Sequence, residues 1–118
     1  MPIKSYYNIQ NSQTGQLGIS SYVFSQIALD ARESMLKGDL REVLADHQGR
    51  SKANVVVDID PKNHVTIRVE VFGYKGADLR KGVEILQEAI YQHVYDLTEI
   101  REVKVDVAVI GMLAKAED

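Results

Sequence analysis

The sequence predicts an α+β fold, a two-layer α/β sandwich of order β-α-(α)-β-β-α-β whose mixed sheet carries its helices on one face. Three observations predict it. Valine-rich stretches near 55–59, 65–72 and 103–110 alternate their apolar residues at the period of a strand. Two other stretches repeat their apolar residues at helical spacing. Each element therefore has one apolar side, and a single two-layer core buries all of them.

Residues 1–14 set polar Asn, Gln, Ser and Thr around two tyrosines without either period, and are expected as a flexible N-terminal tail. A single α/β domain over 15–112 and a polar C-terminal tail over 113–118 complete the expected organisation. Gln16–Ile19 alternates briefly, as an edge strand would. Ser20 or Ser21 offers an oxygen to the free N–H groups of a helix start. Val23, Ile27 and Ala31 recur four apart, with Phe24, Ala28 and Met35 beside them, which predicts a helix ending near Gly38. Asp39 and Glu42 resemble a capping box for a second, short helical turn. Residues 45–52 are polar and expected as a loop.

Val55, Val57 and Ile59 form the first alternation, and Val65, Ile67, Val69 and Val71 the second. Between them Pro61 presets φ for a turn and Asn63 tolerates the left-handed region, so the pair reads as a β-hairpin. Asp78 then caps a helix whose apolar residues are Leu79, Val83, Leu86, Ile90, Val94 and Leu97. Val103, Val105, Val107 and Val109 make a last strand. Strand 65–72, the helix after it and strand 103–110 form a crossover unit, expected to be right-handed with the two strands parallel. The opposite sheet face, with Asp58, Thr66, Arg68, Glu70, Lys104 and Asp106, is left for water or a partner, and its mixed signs predict cross-strand ion pairs.

Composition narrows the function classes. The 118 residues carry a net charge of -3, with +1 in residues 1–52 and -4 in 53–118, so neither half is the basic patch that generic nucleic-acid binding draws on. Zero cysteines exclude disulfides, thiolate metal sites and cysteine nucleophiles, and fit a reducing compartment. No apolar run approaches the ~18 residues of a membrane span, so a cytoplasmic location is expected.

The search for chemistry finds few candidates. His47, His64 and His93 lack ligand spacing and read as surface histidines, so neither a metal nor a cofactor is expected. Asp58 and Asp60 lie two apart and read as turn aspartates; as paired carboxylates they would suit a cation or a hydrolase or transferase. No catalytic residue is expected, because no nucleophile motif is present. Gly73-Tyr74-Lys75-Gly76 reads as a strand-to-helix turn, yet spells the Gly-x-x-Gly clamp with which KH domains hold single-stranded nucleic acid. Gly73, Lys75 and Gly76 would make the contacts in that alternative, a small RNA-binding module. Tyr91 and Tyr95, four apart on the long helix, either margin its apolar stripe or face outward as an association surface.

Gly15-Gln16-Leu17-Gly18-Ile19-Ser20 leading into Val23 and Ile27-Ala28, the paired valine strands, Tyr74 before an Asp-capped helix with Val83 and Leu86, and Val103-x-Val105-x-Val107 closing at Gly111 together resemble the alkaline shock protein family. These are small cytoplasmic general-stress and envelope-stress proteins of Gram-positive bacteria. The likeness spans about residues 15–112 and is that of a divergent member: Arg32–Gly38 stands where the family has a small-residue segment with Glu-Gly-Val. It implies a non-enzymatic, self-associating protein held beneath the membrane by a membrane-anchored partner, with a role in cell-envelope homeostasis. On this reading the chain is a homo-oligomer acting through protein contacts. Tyr91 and Tyr95 and the charged face of Arg68, Glu70, Lys104 and Asp106 are its expected contact surfaces.

Overall fold

A computed structural model describes residues 4–12 and 14–114. Strands β1 (Tyr6–Ser12) and β2 (Gly15–Ser20) lead into helix α1 (Ser21–Lys37). Short strands β3 (Leu44–Ala45), β4 (His47–Gln48) and β5 (Ser51–Lys52) precede β6 (Val55–Ile59) and β7 (Val65–Tyr74), and helix α2 (Leu79–Thr98) connects β7 to β8 (Val103–Leu113). The fold is the predicted α+β class, with a mixed sheet and two helices among the described residues.

β7 is the spine of the sheet. β6 pairs antiparallel along its first half, from Val55 opposite Val69 to Ile59 opposite Val65, and β3 continues that side at Gly73 and Phe72. β8 runs parallel on its other side, from Val65 opposite Val103 to Tyr74 opposite Leu113. The expected parallel pairing is therefore observed. Val65, Ile67, Val69 and Val71 point to one face and are at most 1% exposed. α1 covers that face with Phe24, Ile27, Ala28 and Ala31, and α2 covers it with Leu86, Ile90 and Val94, whose spacing of four keeps one side of the helix inward.

The caps predicted for the two long helices hold. Ser20 Oγ accepts from Val23 N at 3.2 Å and Asp78 Oδ1 from Lys81 N at 3.1 Å. Two positions of the predicted stripes are exposed: Val23 and Leu97, at 42% and 61%, each toward an end of its helix.

Several local expectations are corrected. The segment expected as a flexible tail forms strand β1, which pairs with β2 as a separate two-stranded hairpin, so Gln16–Ile19 is not an edge of the main sheet. Tyr7 and Ile19 pack on the core, with the Tyr7 ring edge-on to Phe24 at 6.2 Å. Burial, followed by the charge of Glu102, raises the Tyr7 hydroxyl above its ordinary pKa. Further out, Ile9 and Leu17 are exposed. The short helical turn expected after Gly38 is present as a run of turns with one i→i+4 bond, Leu44 N to Leu40 O at 3.0 Å, and it does not extend into a helix because Leu44 joins β7. The polar loop of 45–52 holds β4 and β5, a two-residue ladder in which His47 lies opposite Lys52. Leu113 extends β8 into the expected C-terminal tail, and residues 1–3, 13 and 115–118 of the two tails lie outside the described residues.

A side chain fastens the N-terminal hairpin to the body. Asn63, at φ 69° in the β6–β7 turn, accepts from Asn8 N at 3.0 Å through Oδ1 and donates to Asn8 O at 2.6 Å through Nδ2. Its amide thus pairs with the Asn8 backbone as a neighbouring strand would. Lys4 N donates to Ile59 O and Lys4 Nζ to the same Asn63 oxygen. Asn63→Gly keeps the left-handed backbone and removes the amide, at a cost of about 1–2 kcal/mol. Faster amide exchange confined to residues 6–20 is the expected result, and uniform exchange across the molecule would contradict it.

Candidate interaction surface

The two helices leave the other sheet face uncovered over much of its area. Register sets its rows: Val56, Arg68 and Asp106 lie side by side, then Asp58, Thr66 and Lys104, with Glu70 beside Ala108. The four expected charged contact residues are thus brought onto one surface. Their pairing differs from expectation, because the close approach, Lys104 Nζ to Asp106 Oδ1 at 4.0 Å, runs along β8 and not between strands. Arg68 is exposed and makes no ion pair among the described residues. Glu70 is tied down: its Oε1 accepts from Asn54 N at 3.0 Å and its own N donates to Asn54 O. At the far end of this face Phe72 is only 4% exposed, lying close to Gly111 and Gln48.

Arg32 explains why Glu70 is held. The Arg32 side chain is 2% exposed, and its Nη1 donates to Ala53 O at 3.3 Å and Glu70 O at 3.0 Å, stitching α1 to the point where β6 leaves β7. Burial lowers its pKa, while the charges of Asp46, Glu33 and Glu70 oppose that shift. Beside it lies a cavity of about 290 Å³ that Asp30, Glu33, Asp46 and Lys52 also line. Carboxylates outnumber cations there, so the site does not favour an anion.

Tyr91 and Tyr95 sit half-buried on α2, and both engage the next loop. Tyr91 Oη donates to Arg101 O at 3.0 Å, and Arg101 Nη2 donates to Tyr95 Oη at 3.3 Å, with the guanidinium 5.5 Å from the Tyr95 ring centre. The pair is not brought together with the charged sheet face, which lies across the core. The three histidines each meet one aspartate: His47 with Asp46, His64 with Asp60 and His93 with Asp30. Asp58 is half-buried on the sheet face, whereas Asp60 lies past the end of β6 and closes the turn, accepting from Lys62 N and His64 N at 2.9 Å each. The two carboxylates therefore do not act as a strand-face pair.

The Gly73–Gly76 segment is the end of β7 and its turn. A Cβ on Gly73 would stand 2.7 Å from Leu79 Cδ2, so a side chain there would push the Leu79 tip aside where α2 begins, and Gly76 turns at φ 86°. Tyr74 N, Lys75 N and Ala77 N donate to Val43 O, Leu113 O and Tyr74 O, so these donors are not free to clamp a phosphate. Lys75 itself is exposed.

Among the described residues an exposed strand edge lies on the outer side of β8, a position that residue typing did not locate. Val65 N donates to Glu102 O, which directs the even-numbered residues of β8 toward β7 and leaves the backbone groups of Val105, Val107 and Val109 facing away. Val105 O takes Gln87 Nε2 at 2.7 Å. Past Asp106 the strand reads Val-Ala-Val-Ile-Gly-Met-Leu, seven residues without charge, and Val109, Ile110 and Met112 are 37%, 46% and 42% exposed. That uncharged run was the available signal.

Comparison with protein-family models, with curated proteins and with solved structures finds no match. Among the described residues no helix is long and apolar enough to cross a membrane.

Two outcomes test these contacts. Arg32→Met leaves Ala53 O and Glu70 O without their donor, and urea unfolding should show a loss of about 2–4 kcal/mol; an unchanged midpoint would count against the stitching role. The His64 backbone N–H holds Asp60 below its ordinary pKa, and a hydrogen bond from His47 does the same for Asp46. Carboxylates that titrate lower when folded add stability that is complete above the ordinary value of ~4 and disappears as pH falls through the lowered one. Asp60→Asn should therefore make stability less dependent on pH below ~4, with the wild-type slope as the contrary result.

Proposed function

We propose that this chain is a non-enzymatic protein that works by associating with itself and with other proteins. One observation carries the reading: the C-terminal half of β8 offers strand-edge hydrogen-bonding groups and uncharged side chains to solvent. Free edges of this kind recruit other chains, and proteins that must stay monomeric blunt them with charge, proline or a covering segment. The one-sided sheet adds a second broad surface of mixed charge. The resemblance to alkaline shock proteins supports the same reading and extends it to the cytoplasmic face of the membrane, where a membrane-anchored protein would hold the assembly during envelope stress.

Light scattering of the purified chain across a concentration series tests the proposal. The expected mass exceeds that of one chain and grows with concentration before it levels off. A mass fixed at one chain throughout would end the self-association reading.

A further inference from the structure

The chain guards its strand edges unevenly. The outer side of β6 receives Lys4 N at Ile59 O. The outer side of β1 receives the Asn63 amide at Asn8 and is bulged between Asn8 and Gln10. The first half of β8 carries Lys104 and Asp106, has Gln87 on Val105 O, and is preceded by Tyr91 on Arg101 O. Near its end β8 is bulged between Val109 and Met112, and Gln48 Nε2 reaches Met112 O at 3.3 Å. Between these guards lie Val107 and Val109, whose N–H and C=O groups face away from β7 and whose neighbours Ala108 and Ile110 are exposed and uncharged.

We propose that this stretch of β8 pairs antiparallel with the same stretch of a second copy, about a two-fold axis near Ala108, so that the sheets of two chains become one. The inference rests on the self-association reading above and names its surface. A strand edge is satisfied by another strand edge, and an isologous pair brings the same groups from both sides. The charges suit this occupant. With Ala108 opposite Ala108, Asp106 of one chain faces Ile110 of the other and Lys104 faces the end of the partner strand, so no like charges are opposed and Asp106 and Lys104 flank the seam. In a register shifted to centre on Asp106, that carboxylate would meet its own copy, which disfavours it. Outside the seam, Arg68 and Asp106 alternate in sign, so the joined sheet has no single-sign field at the junction.

Two variants of the full chain test the pairing. Val109→Pro removes an N–H directed away from β7 and leaves the ladder to β7 intact. It should weaken self-association at least about tenfold in light scattering, the loss of two intermolecular hydrogen bonds, with unchanged circular dichroism. Ala108→Cys places one thiol in a chain that has none, at a position where directly opposite Cα atoms lie within disulfide reach. Mild oxidation should link Ala108→Cys into a covalent dimer at least about tenfold faster than Ser51→Cys, a control on the exposed β5.

Equal linking of the two cysteine variants overturns the pairing, as does a folded Val109→Pro chain of undiminished mass. If Val109→Pro does not fold, the linking comparison decides alone. An associating wild type with either contrary result sinks the β8 seam and leaves self-association standing, whereas a monomeric wild type sinks both.

Discussion

Every other element depends on the enclosure of β7. Its inner row of Val65, Ile67, Val69 and Val71 is sealed by both helices, and neighbours occupy both of its edges. A strand fixed on three sides cannot slip in register without moving this whole row to the solvent face. That constraint sets the register of β6 and β8, and with it the row that places Arg68 beside Asp106. The outer surface inherits its order from a core that it does not touch.

Where strands end, side chains finish what the backbone leaves open. Arg32 supplies a donor to two carbonyls at the point where β6 parts from β7. Asn63 stands in for a strand beside Asn8, Asp60 closes its turn by accepting two N–H groups, and Gln87 and Gln48 each reach a carbonyl of β8. These are charged or amide groups placed where a backbone partner is missing, which is how an irregular sheet margin avoids the penalty of unsatisfied polar groups. The middle of the free β8 edge, at Val107 and Val109, is a contrast made sharper by this pattern.

The main sheet and both helices were legible in the sequence because each long element repeats its apolar residues at one clear period. The Asp60–His64 turn was legible because Pro61 and Asn63 have few other uses. The N-terminal hairpin was not, since β1 mixes two tyrosines with polar residues, is interrupted by a bulge, and depends on Asn63, 55 positions away from Asn8, for its attachment. The surface followed the same division. Which charged residues share a face can be counted from alternation, so Arg68, Glu70, Lys104 and Asp106 were placed together. That Glu70 is held by Asn54 and Arg32, or that Tyr91 turns to Arg101, depends on distant chain returning to meet them, and spacing along the chain carries no record of that.

The parallel joining of β7 to β8 has a consequence for how the chain reaches its shape. Two antiparallel neighbours need only a short turn, but the ends of this pair are separated by the whole of α2, a longer loop to close. β8 also follows the other strands of this sheet along the chain, so one flank of the central strand stays bare until both α2 and β8 have emerged. Crowded nascent chains therefore meet one another through two complementary open strands, and slow, dilute synthesis favours the intended closure over clumping.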